Sequence, residues 1–351
     1  MNYSPKLNHL FVLAMAASIL LLSAYCSKKS TPDPVPPVPP VNTEFAKGAD
    51  ISWVTEMEAA GKKFFNSAGT EKECMQLLKD IGMNTIRLRV WVNPAAPGWN
   101  GQADVIAKAV RAKSLGLKVM IDFHYSDTWA DPGHQTKPAA WASQDFSTLK
   151  QSLATHTTTV LTALKAAGVT PTWVQVGNET NDGLLWPDGK ASVSMSNFAQ
   201  LIQAGYAAVK AVDNSIRVIV HVSNGFDNGL SRWVFDGLKS FGAQWDIIGL
   251  SLYPSSSNWA SLNSQCLSNM NDLVSRYGTD VMVVEVGMSW DQASACQSFL
   301  ADLIAKTRTV SGNHGLGVLY WEPQSYGNWN GYTLGAFDNS GRPTTALNAF
   351  N

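Results

Sequence analysis

The chain has 351 residues, 45% of them hydrophobic and 15% charged, with a formal net charge of -1 at neutral pH. That is enough apolar material for one large core, and so balanced a charge excludes an electrostatic case for a nucleic-acid partner. Thirteen tryptophans are many for this length, and their flat apolar faces with one polar edge suit sugar rings as well as cores.

At the N-terminus Lys6 and His9 precede an apolar run from Leu10 to Leu22, too short to span a bilayer comfortably as a permanent helix, so the segment reads as a targeting signal. It ends Leu22-Ser-Ala-Tyr-Cys26, which resembles a bacterial lipoprotein lipobox with Cys26 as the lipidated first residue of the mature protein. Residues 27–44 form a proline-rich stretch that favours polyproline II and behaves as a semi-rigid spacer. The expected organisation is therefore a signal segment (1–26), a linker (27–44) and a catalytic domain (45–351), exported and tethered to the outer membrane on its periplasmic or its surface face. Without the anchor, Cys74, Cys266 and Cys296 remain. Three scattered cysteines make no disulfide framework and are expected to be inert buried thiols.

From Phe45 onward, short β-branched runs alternate with amphipathic stretches without a break in composition. Strands are predicted over Gly48–Trp53, Thr85–Trp91, Lys118–His124, Thr172–Glu179, Arg217–Ser223, Asp246–Tyr253, Asp280–Val286 and Gly317–Glu322. Helices are predicted over Glu71–Ile81, Ala103–Leu115, Phe146–Ala167, Asn197–Val212, Ser261–Tyr277 and Ala293–Thr309, several closed by a glycine such as Gly82, Gly116 or Gly168. Eight strands, each followed by a helix, predict a single (β/α)8 TIM barrel. A doubly wound sheet fits less well, because no glycine-rich phosphate fingerprint follows the first strand.

In such a barrel the C-terminal strand ends and the loops after them form the active face. Arg87, Arg89, Trp91, Asp122, His124, Asp127, Trp129, Asn178, Glu179, His221, Asn224, Tyr253, Glu285, Trp321 and Glu322 all fall there. A carboxylate closing a buried strand is costly unless solvated, paired or used. Either Glu179 or Glu285 alone could merely cap a strand or pair with an arginine; two together, beside Asn178, point to a pair of carboxyl groups cleaving a glycosidic bond. Asn178 suits a sugar 2-hydroxyl and marks Glu179 as the acid/base, leaving Glu285 as the nucleophile. Arg87 is expected to keep Glu285 ionised. Arg87 and Arg89 share a face, so one reaches the nucleophile and the other pairs with a core acid such as Asp50 or Asp122. His124, Asp127 and His134 lie in one loop at a spacing unlike that of zinc ligands, so no metal is expected, and hydroxyl binding is the better use for His124 and His221. His156 and His314 read as structural or exposed.

These residues give the chain its resemblance to the glycoside hydrolase family 53 endo-β-1,4-galactanases of clan A, from about Gly48 to the C-terminus. The most specific pieces are Asn84-Thr-Ile-Arg-Leu-Arg-Val-Trp-Val-Asn-Pro94 and Asp122-Phe-His-Tyr-Ser-Asp-Thr-Trp-Ala-Asp-Pro132 with His134-Gln135. Gly177-Asn-Glu179 followed by Gly183-Leu-Leu-Trp-Pro187, and Tyr320-Trp-Glu-Pro323, also fit. The resemblance implies a retaining mechanism and internal cleavage of the β-1,4-galactan side chains of pectin, with Arg87, His124, Asp127, Asn178, Trp186, His221, Tyr253 and Trp321 around the cleft. No cofactor is expected, and a monomer is expected. Thr180-Asn-Asp182 and Ser255-Ser256 depart from the family pattern at positions that bear on substrate placement. The segment between Glu285 and the next helix is brief, and no calcium site of the kind some bacterial relatives carry there is expected. Another clan A specificity, mannanase or cellulase, and a non-catalytic saccharide-binding lipoprotein are the alternatives.

Overall fold

The computed structural model describes residues 45–351; the expected signal segment, Cys26 and the linker lie outside the described residues. Eight strands form a closed barrel in sequential order: β1 (Ala46–Asp50), β2 (Thr85–Val90), β3 (Lys118–Phe123), β4 (Trp173–Val176), β5 (Arg217–Val222), β6 (Ile247–Leu252), β7 (Asp280–Val286) and β8 (Gly315–Trp321). All pairings are parallel, and β8 returns to β1. The helices are α1 (Val54–Ala59), α2 (Cys74–Asp80), α3 (Gln102–Ser114), α4 (Phe146–Ala166), α5 (Met195–Val212), α6 (Asn228–Ser240), α7 (Trp259–Tyr277) and α8 (Ala293–Arg308).

Three expectations need correction. β4 stops at Val176 rather than Glu179, because Gly177 takes φ 83 and turns the chain out of the sheet. α1 and α6 were not anticipated. α6 buries Ser231, Val234, Phe235 and Leu238 at helical spacing and is capped by Asp227, whose carboxylate accepts from the Leu230 amide. Finally, β8 is followed by a 3-10 segment, Thr345–Phe350, instead of an α-helix. The glycine stops hold: Gly82, Gly116 and Gly168 all adopt positive φ just beyond their helices. Cys74, Cys266 and Cys296 are free and buried.

Alternation along the strands sorts side chains into two cores. Ile86, Leu88 and Val90 of β2, like Val218, Val220 and Val222 of β5, face the helices, and the inside of the barrel is packed by Ala46, Met120, Trp173, Ile219, Ile247, Met282, Val284 and Leu319. Above this apolar layer the inward positions become polar: Asp50, Arg87, Asp122, Gln175, His221 and Ser251 are all buried.

β7 breaks the alternation. Against β6 its register runs Leu250↔Val283 and then Ser251↔Glu285, and against β8 it runs Val283↔Val318 and then Val286↔Tyr320. One extra residue therefore bulges from β7 relative to both neighbours. Val283 and Val286 face the helices while Val284 packs inside the barrel, so the next side chain, Glu285, is also turned toward the axis.

Candidate active site

Glu285 is buried at the centre of the barrel mouth, with an Arg87 Nη2 at 2.8 Å from its Oε1 and the Tyr253 hydroxyl donating to its Oε2 at 3.0 Å. Arg87 also pairs with Asp50 at 2.8 Å and Asp122 at 2.9 Å, and donates to the Asn178 Oδ1 at 3.0 Å. One guanidinium thus does both jobs that were expected to be divided between two arginines. Arg89 instead pairs with the buried Glu322 and lies 4.2 Å from the Trp129 ring centre and 5.1 Å from that of Trp53.

Glu179 stands three residues beyond β4 in a turn where it adopts φ 43. That is a costly conformation for a residue with a side chain, of the kind that persists only where the surroundings impose it. Its carboxylate, that of Glu285 and a ring nitrogen of His221 lie with ligand atoms all within 4.8 Å of one another. Burial raises the Glu179 carboxyl, with the Ser251 hydroxyl and Arg87 pulling it back. Burial also raises Glu285, against Arg87 and together with the charge of Glu179. Two carboxyls this close feel each other's charge, so ionising one disfavours ionising the other. Glu285 faces a cation and a phenol, both donors, and these favour its ionised form against the burial that opposes it. The Tyr253 phenol, pushed well up by burial and by Glu285, stays a donor.

The supports of the pair are built from neighbouring strands. His221 Nδ1 is approached by the Gln175 Nε2 at 2.9 Å and the Glu179 amide at 3.3 Å, so its Nε2–H donates to Ser251 Oγ at 2.7 Å. Burial and Arg87 depress its pKa well below the usual value, which keeps it neutral. His221 is wholly buried with both nitrogens committed, so it orders the site rather than meeting a sugar hydroxyl as expected. His124 is similar: Nδ1 accepts from the Ala130 amide at 3.1 Å and Nε2 donates to Asp122 at 3.0 Å. Asp127 ties two loops together by accepting from the Asn93 and Ala139 amides, each at 2.9 Å. Asn178 Nδ2 donates to the Ala130 carbonyl at 2.8 Å, leaving one N–H.

Around the mouth, Trp129 and Trp321 are half-buried with centroids 5.8 Å apart, joined by Trp53 and Tyr332. Trp186 is half-buried farther out, its Nε1 donating to the Asp182 carbonyl at 2.8 Å. The loop trio considered for a metal is dispersed, since His134 is exposed and paired with Asp131. Glu179, His221 and Glu285 do converge, but His221 has no free nitrogen to offer.

Gln175, Ser251, Trp53 and Tyr332 were missed as site residues. Gln175 and Ser251 were legible in principle, since each is two residues before a glycine or a tyrosine at a strand end and shares the inward face. Nothing in the sequence marks Tyr332.

A family model described as glycosyl hydrolase family 53 matches residues 46–350. An arabinogalactan endo-beta-1,4-galactanase of Thermothelomyces thermophilus is 34% identical over 87% of this chain and 98% of its own length. A solved fungal beta-1,4-galactanase superposes with TM-score 0.80 at 33% identity, covering 87% of this chain and 98% of that one. The GH53 catalytic domain of Ignisphaera aggregans does so with TM-score 0.80 at 30% identity, covering 91% and 98%. With a (β/α)8 barrel, a close pair of glutamates at its mouth and this degree of likeness, the chain belongs to glycosyl hydrolase family 53.

Proposed function

We propose that the protein is a retaining endo-β-1,4-galactanase acting on the galactan side chains of pectin, with Glu285 as nucleophile and Glu179 as acid/base. The observation that carries the mechanism is that one oxygen of the Glu179 carboxylate lies within 4.8 Å of one oxygen of Glu285. A gap of roughly 5 Å suits double displacement, whereas an inverting pair must stand farther apart to admit a water. Ionised Glu285 attacks the anomeric carbon from the face opposite the leaving group while Glu179 gives its proton to the departing oxygen, forming a covalent glycosyl-enzyme. Glu179, now ionised, takes a proton from water, whose oxygen displaces Glu285 and restores the β configuration. The remaining N–H of Asn178 suits the 2-hydroxyl of the sugar being transferred, and the Trp129 and Trp321 faces suit its rings. The substrate class follows from the relatives named above.

On linear β-1,4-galactan, proton NMR is expected to show β-configured reducing ends first and a rapid fall in chain length. Glu179→Gln and Glu285→Gln are each expected to stop cleavage, by a factor of about 100 or more, without loss of fold. Initial α-products, or release from mannan or cellulose instead of galactan, would overturn the assignment.

We also propose that the enzyme is exported and anchored through a lipid on Cys26, the proline-rich linker holding the barrel off the membrane. The support is the Leu22–Cys26 pattern behind an apolar run. In a bacterial host the wild type is expected in the membrane fraction and Cys26→Ser in the soluble fraction, and equal partitioning of the two would remove the anchor from the account.

A further inference from the structure

Glu179 keeps its φ of 43 only because something holds the peptide unit that precedes it. That unit, the Asn178 carbonyl with the Glu179 amide, is gripped at both poles by side chains, one from β5 and one from the loop after β3. Its N–H faces His221 Nδ1 at 3.3 Å, and its oxygen accepts from Gln135 Nε2 at 2.8 Å. Rotating the plane, which is what relaxing φ requires, breaks one bond or the other.

Gln135 is well placed for the purpose. It lies in the loop after β3 and is 2% exposed. Its main-chain carbonyl accepts from the Trp186 amide at 2.7 Å, which ties this point to the loop after β4. Its Nε2 donates a second bond to the Asp131 carbonyl at 3.1 Å, while Oε1 is buried with no protein partner. Both hydrogen bonds that this side chain makes therefore come from its donor end. That donor end touches the turn carrying Glu179 and neither Glu285 nor Arg87.

We propose that Gln135 is a positioning residue for the proton donor: it holds the Asn178–Glu179 peptide so that the Glu179 carboxyl faces the leaving oxygen. The inference rests on the reading of Glu179 as acid/base. It predicts a loss that depends on how much the leaving group needs a proton, a dependence that general loosening of the fold does not produce.

The test compares wild type, Gln135→Leu and Glu179→Gln on β-1,4-galactan and on a dinitrophenyl β-galactobioside, whose phenolate departs without protonation. For Gln135→Leu, kcat/KM on galactan is expected to fall by roughly 30- to 100-fold, as for an ångström of misplacement. On the aryl glycoside, kcat/KM is expected to change by less than about threefold, with kcat and KM falling together because the water step still needs the base. Equal losses on both substrates, or no loss on galactan, would overturn the proposal. Should the leucine variant not fold, near-isosteric Gln135→Met, which has no N–H or O–H to donate, carries the same comparison. If Glu179→Gln itself shows no difference between the two substrates, the acid/base reading fails; if Glu179→Gln shows it and the Gln135 variant does not, only the role of Gln135 falls.

Discussion

Arg87 illustrates how much the upper barrel depends on a single cation. It is buried among Asp50, Asp122 and Glu285, three carboxylates that have left water and pair with the same guanidinium. Removing one partner of a buried ion cluster leaves the others uncompensated, at about 3–5 kcal/mol. Arg87→Met is therefore expected to lower the thermal midpoint sharply as well as abolish activity. Glu285→Gln should behave oppositely. Burial raises the Glu285 carboxyl in the fold, so keeping it ionised costs stability as pH rises above its unfolded value, and an amide carries no such cost. Its midpoint is expected at or above that of wild type at pH 8, although the enzyme is dead. Circular-dichroism melts of the three proteins check this, and an Arg87→Met protein as stable as wild type would show that the cluster does not depend on its cation.

At the scale of elements, what could be read in the sequence was set by local periodicity. Alternation in β2 placed Arg87 and Arg89 inward, and helical spacing with glycine stops located α3, α4 and α7 to within a few residues. Gly177 was the readable sign that β4 ends early, since a glycine inside an apparent strand commonly marks a bend. α6 was obscured by Gly229 and Gly237, poor helix formers; at Gly237 a Cβ would sit 2.6 Å from the Met195 sulfur, so the glycine serves packing against α5. The bulge in β7 had no signal at all, because Val283-Val284-Glu285 reads as an ordinary buried strand and the extra residue is defined only by the strands beside it. The partner of Arg89 was misjudged for the same reason. Glu322 is 233 positions away, and only barrel closure brings it near.

For the whole molecule, two histidines with depressed pKa values are expected to weaken the fold in acid. His156 sits among the Phe123, Tyr125 and Trp141 rings, where burial holds its pKa at about 4 against an ordinary 6.5. Above 6.5 the folded and unfolded chains are both neutral at this site; between 6.5 and 4 only the unfolded chain takes up the proton, so stability is lost as pH falls through that window. Each such histidine contributes up to about 1.4 kcal/mol per pH unit, and His221 adds to the effect. Wild type should melt progressively lower from pH 6.5 to pH 4, and His156→Phe should flatten that slope; parallel slopes would show that His156 does not contribute. The mouth has another property that belongs to no single residue. Trp53, Trp91, Trp129 and Trp321 stand with neighbouring centroids between 5.3 and 5.8 Å at steep mutual angles. Indoles that near couple their electronic transitions, so the cluster is expected to give an exciton signal in circular dichroism that changes when a ring stacks against it.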